Sequence, residues 1–149
     1  MIYLLSAPVQ SGKTTSLINW SAARKDVYGI LTPVIKGKRV FMNAQTREQF
    51  PMEASGDEET ITVGRFVFSK TGFDKAIQVI RDAISKDGWL IIDEIGPLEL
   101  RGEGFSEVLK EVLVRRNDKL LLVVRKEMAQ KVNDHFRINA SELNTIDEI

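Results

Sequence analysis

Two short clusters in this chain hold residue types that can handle a phosphate. The first is Ala7-Pro8-Val9-Gln10-Ser11-Gly12-Lys13-Thr14-Thr15, which follows an apolar run at 2–5 and leads into a stretch without glycine or proline. Strand, loop and helix in that order make the setting in which such a loop cradles phosphate. Backbone N–H groups of the loop and the first helical turn then point at the anion. Lys13 would neutralise the β- and γ-phosphates, and the Thr14 hydroxyl would ligate Mg2+. Gly12 removes the Cβ that would otherwise stand between backbone and phosphate. Ala7 occupies the place where a glycine usually opens the pattern. Alanine is the smallest substitute.

The second cluster is Trp89-Leu90-Ile91-Ile92-Asp93-Glu94. An apolar run with no polar alternation indicates a strand buried on both faces, as in a parallel sheet. Asp93 would hold Mg2+ through the ion's water shell, since that hard cation needs few carboxylates. Glu94 alternates to the other face of the strand end. There it can orient or deprotonate the water that attacks a γ-phosphate. Two acids also suit a helix N-terminus, but the following Gly96-Pro97 argues against an immediate helix.

Positioning both clusters requires strands that end at a common edge. Residues 14–24 fit the helix after the phosphate loop, with Leu17, Ile18 and Ala22 on one side. Residues 27–31 read as a short strand, and 34–36 with 38–42 as a hairpin around Gly37. The polar stretch 43–60 reads as a loop or irregular excursion. Residues 61–68 read as one strand kinked at Gly64-Arg65. Phe73, Ala76, Ile77, Ile80 and Ile84 recur at helical spacing, as do Phe105, Val108, Leu109 and Val112. Residues 120–124 are a buried strand and 127–134 a short helix. The tail from Arg137 offers one last strand and then a fraying end. Alternating strands and helices, with an antiparallel excursion in the middle, predict an α/β sandwich on a mostly parallel sheet. A ligand then lies at the carboxyl ends of the strands, where both clusters fall.

With 149 residues, one domain spanning 1–149 is expected, with 33–68 as a lid-like hairpin excursion. Lys+Arg and Asp+Glu number 21 each, so no bulk charge recruits nucleic acid or an anionic membrane. Cysteine is absent, which excludes disulfides, thiolate metal sites and cysteine catalysis together. No apolar run approaches the length of a membrane span, and a cytoplasmic location is expected. His135 is the single histidine and cannot form a metal site alone. Trp20 and Trp89 read as core residues. Glu99 reads as structural, binding a water or a loop amide.

An acid pair of this kind fits the P-loop class that uses a glutamate, in which the strand after the acids inserts between the two motif strands. That would put Arg125 near the γ-phosphate, although a solvated arginine at a strand end is common. No Asn-Lys-x-Asp stretch for reading guanine is present. Arg65, Arg39 and Arg47 lie in the excursion, and any of them can close over phosphates as an arginine finger does. Arg65, in its glycine bend, is the best candidate.

Residues 7–14, Gly29-Ile30-Leu31-Thr32-Pro33, Val63-Gly64-Arg65 and above all Asp93-Glu94-Ile95-Gly96-Pro97-Leu98-Glu99-Leu100 carry a resemblance. In this order the chain resembles the small nucleoside-triphosphatases related to the vertebrate cancer-related nucleoside triphosphatase, from the N-terminus to about Lys131. The resemblance implies a RecA-like core and Mg2+-dependent hydrolysis of ATP, GTP, CTP and UTP to diphosphate and phosphate. It also implies slow turnover, loose base choice, and a nucleotide site formed by 7–14 and 90–97. Two other readings use the same loop: a kinase with a small acceptor under the excursion, and a switch whose 43–60 segment responds to nucleotide. Lys13→Ala is expected to abolish nucleotide binding in titration calorimetry; unchanged affinity would remove Lys13 from the phosphate site.

Overall fold

The computed structural model describes residues 1–7, 12–54, 58, 60–63 and 66–149. The chain runs β1 (Ile2–Ala7), α1 (Lys13–Ala22), β2 (Val27–Leu31), β3 (Val34–Ile35), β4 (Lys38–Asn43), β5 (Gln49–Pro51), β6 (Thr60–Val63) and β7 (Phe66–Ser69). It continues through α2 (Lys70–Ala83), β8 (Trp89–Ile95), α3 (Pro97–Leu100), α4 (Ser106–Arg115), β9 (Leu120–Arg125), α5 (Ala129–His135) and β10 (Ser141–Leu143). Turns of 3₁₀ helix cover Lys126–Met128 and Ile146–Glu148.

The main sheet has the order β10-β1-β9-β8-β2-β4-β3, with β5 paired to β4. The first five strands of that order are mutually parallel. The last three meet their neighbours antiparallel. β9 therefore lies between β1 and β8, the insertion expected from the acid pair.

Both sheet faces are apolar, which is why these strands show no alternation in sequence. Leu4, Ile92 and Leu122 face Phe73 and Ile80 of α2, Leu109 and Val112 of α4 and Val132 of α5. Their neighbours Leu5, Ile91 and Leu121 face the opposite way, toward Leu17 of α1 and Ile146. Successive strand residues alternate faces, so each layer takes every second one. Burying each of these side chains contributes roughly 1.5–3 kcal/mol. This is the mixed α/β architecture with a mostly parallel sheet.

Several expectations need correction. The 43–60 segment is not wholly irregular: β5 pairs with β4, and Glu53 bridges to Phe68. Residues 61–68 are not one kinked strand but an antiparallel pair, β6 with β7, Val63 opposite Phe66. A helix does follow Gly96-Pro97, because proline at the first helical position lacks only an N–H that has no intrahelical partner anyway. On α1, Ala22 is exposed and Ser21 takes the buried place, its hydroxyl donating to the Leu17 carbonyl at 2.7 Å. The tail does not fray after its strand, since Ile146 is buried beneath α1. Among the described residues, no helix is long and apolar enough to cross a membrane.

Gly29 sits inside β2 at φ +110°, and a Cβ there would overlap the Ile91 carbonyl oxygen on β8. Only glycine combines that backbone conformation with so close an approach. Gly29→Ala is expected to cost about 2–4 kcal/mol in chemical denaturation; a loss below about 0.5 kcal/mol would show that β2 and β8 can separate freely.

Candidate functional site

The parallel register brings four carboxyl ends together. Ala7 at the end of β1 is paired with Arg125 at the end of β9. Asp93 of β8 is opposite Val123, and the ladder shifts between Asp93 and Ile95, so Glu94 lies in a bulge. A bulge interrupts the pairing and re-aims a side chain. Next to β8, β2 ends just before Thr32.

Asp93 is fully buried. Its Oδ2 accepts from the Thr14 hydroxyl at 3.0 Å and from the Thr32 backbone N–H at 3.1 Å. Its Oδ1 is buried without a hydrogen-bond partner. Burial first, and the charge of Glu94 second, push its pKa up, while the hydrogen bonds from Thr14 and Thr32 oppose that shift. A buried carboxylate oxygen with no donor is costly unless something else meets it. One carboxylate beside one hydroxyl fits a hard divalent cation that retains most of its waters. Among the described residues no group of three or more His, Cys, Asp or Glu is gathered, so the donor set is not a carboxylate cage.

Glu94 meets two cations. Its Oε2 is 3.8 Å from Lys13 Nζ, and its Oε1 is 3.3 Å from Arg125 Nε. Lys13 opens α1, and its side chain is only 9% exposed. Gly12 precedes it at φ +81°, a left-handed conformation that glycine adopts without penalty. Thr15 is exposed on the same first turn. Pro8, Val9, Gln10, Ser11 and Arg65 lie outside the described residues.

A family model described as NTPase matches residues 2–149. The chain belongs to this NTPase family. It is 31% identical over 134 residues to the nucleoside-triphosphatase THEP1 of Methanocaldococcus jannaschii, an alignment that covers 83% of this chain and 77% of that protein. In fold it is similar to the crystal structure of THEP1 from the hyperthermophile Aquifex aeolicus, with a TM-score of 0.71 and 18% identity over 99% of this chain and 92% of the other. The solution structure of a human cancer-related nucleoside triphosphatase gives a TM-score of 0.68 and 21% identity, covering 99% and 89% of the two chains. The resemblance stated from the motifs is met, and membership places the chain among nucleoside-triphosphatases.

Within this NTPase the other candidate side chains separate by position. Arg39 of β4 donates to the Thr32 carbonyl at 2.9 Å, one residue's length from the Thr32 N–H that holds Asp93. Arg47 turns away: its Nη2 donates to Ser21 Oγ at 2.8 Å, near the far end of α1 from Lys13. Trp89 packs against Tyr3 and Trp20 in the core layer under α1. His135 ends α5, exposed, with its ring against Phe136. Thr32 is the contributor that residue-by-residue reading missed. It acts through its backbone N–H, which no side-chain type signals.

Glu99 is structural, and loop amides are its partners. Its Oε1 accepts from the Gly96 N–H at 2.7 Å and its Oε2 from the Phe105 N–H at 2.9 Å. One buried carboxylate thus ties the end of β8 to the start of α4. Burial pushes its pKa up to about 7, against the lowering effect of those two N–H groups. A raised folded-state pKa favours the folded protein below the unfolded value near 4.5, and that contribution fades as pH rises through about 7. The stability advantage of wild type over Glu99→Gln is therefore expected to be larger at pH 5 than at pH 8 in thermal melts. A constant difference would mean that Glu99 does not titrate in this range.

Proposed function

We propose that this NTPase hydrolyses the β–γ phosphoanhydride of ATP, GTP, CTP and UTP, with Glu94 positioning the attacking water. One observation carries the reading: Lys13, Thr14, Asp93 and Glu94 converge at the carboxyl edge of the sheet, joined by the 3.0 Å Thr14–Asp93 hydrogen bond and the 3.8 Å Lys13–Glu94 pair. Residues 7–15 cradle the phosphates with backbone N–H groups, and Lys13 neutralises their charge. Thr14 and Asp93 would hold Mg2+, which when bound supplies Lewis-acid stabilisation of charge on the β- and γ-oxygens.

Glu94 accepts a proton from water as the water oxygen forms a bond to the γ-phosphorus, giving phosphate. The bridging oxygen leaves with the bonding electrons as part of the diphosphate. Arg65, between β6 and β7 in the sequence, closes over the phosphates with that pair of strands, while β3, β4 and β5 of the 33–68 excursion stay in the main sheet. In support, β6 and β7 form a two-stranded sheet of their own, separate from the main one. The chain acts as one domain, 1–149, in the cytoplasm. The reading needs neither a nucleic-acid nor a membrane partner.

Glu94→Gln keeps the shape of the side chain and removes the base. It is expected to bind nucleotide normally while Mg2+-dependent phosphate release falls by about 100- to 1,000-fold for every nucleotide tested. Wild-type turnover in this variant would sink the assignment.

A further inference from the structure

We propose that Arg125 is the positioning residue that keeps Glu94 aimed at the attacking water once Lys13 is taken up by the phosphates. The proposal rests on the reading of Glu94 as the residue that orients water. Each oxygen of the Glu94 carboxylate has its own cation, Arg125 Nε at 3.3 Å on Oε1 and Lys13 Nζ at 3.8 Å on Oε2.

The two cations are not equivalent. Lys13 adjoins the phosphate loop, and its ammonium is a compact charge for which an incoming triphosphate outcompetes a single carboxylate. Its hold on Glu94 belongs to the nucleotide-free protein. Arg125 ends β9, locked between β1 and β8, with its Cα registered against Ala7. Nothing in nucleotide binding requires that strand to move.

Glu94, by contrast, stands in the irregular step of the β8–β9 ladder between Asp93 and Ile95. The sheet itself therefore does little to aim its three-torsion side chain. With Lys13 engaged elsewhere, the Arg125 guanidinium is the remaining charged restraint among the described residues. The Arg125 side chain is 43% exposed and that of Glu94 26% exposed. A pair so open to solvent adds little to folding, so its value lies in orientation. A misplacement near 1 Å at a reacting group can cost roughly a hundredfold in rate.

The test combines Arg125→Ala and Arg125→Lys with Glu94→Gln, singly and together. Single-turnover release from γ-labelled ATP would resolve the slow residual rates, and calorimetry would give nucleotide affinity. Arg125→Ala should lower the rate about 10- to 100-fold with affinity and melting temperature unchanged. Arg125→Lys should recover part of the loss, since charge returns without the planar fork. In the Glu94→Gln background, Arg125→Ala should have no further effect. An equal loss in both backgrounds would overturn the proposal by showing that Arg125 acts independently of Glu94. Loss of affinity at an unchanged rate would also overturn it. Wild-type turnover in Glu94→Gln alone would instead sink the underlying role of Glu94, so the two failures are distinguishable.

Discussion

Burying a carboxylate is costly unless its oxygens are met, and the site is organised around meeting those of Asp93. One of its oxygens receives the Thr14 hydroxyl from α1 and the Thr32 N–H from the end of β2. These two hydrogen bonds lock a helix start and a strand end onto β8, so three elements distant in sequence share one anchor. The other oxygen is left without a donor at full burial. A group in that state is over-determined by its surroundings and under-satisfied at one point, which is the arrangement expected where an exogenous cation completes the shell.

The parallel sheet makes this anchor possible. With β9 inserted between β1 and β8, the ends of the three strands align, Ala7 pairing with Arg125 and Asp93 with Val123. The opposite end of the sheet is fastened separately. There the Arg116 guanidinium donates to the carbonyls of Ile84, Lys86, Gly88, Asp118 and Lys119. Its position draws together the loops that enter β8 and β9. Both strands are thus held at their amino ends by one planar fork, and at the carboxyl side Glu99 secures the exit from β8 by two loop amides. Adjacent acids on one strand therefore face different surroundings. Asp93 is buried and bonded within the fold, and Glu94 is part-exposed in a bulge between two cations.

The legible part of the fold was the part governed by local pattern. The buried strands 27–31 and 120–124 and the helices holding Phe73 and Val108 follow from apolar runs and helical spacing, which neighbours reinforce rather than override. The excursion was harder. β5 spans only Gln49–Pro51 and exists because β4 offers it an edge, so no periodicity announces it. The pairing of β6 with β7 was hidden because two short apolar strands adjacent in sequence read as one continuous run in one dimension. Pro97 was misread for a related reason: proline excludes a helix interior but suits its first position.

By itself the sequence determined the chemistry on offer: a lysine and a hydroxyl beyond a loop glycine, and two acids at the end of a buried strand. These are side-chain identities at short separations, and the spacing alone limits what they can contact. Only the tertiary structure decided which distant groups meet them. It brought the Thr32 N–H to Asp93, set Arg125 beside Glu94, and turned Arg47 away to Ser21. Strand order and register set those distances, and both arise from packing two apolar sheet faces at once, a constraint that no local stretch of the chain contains.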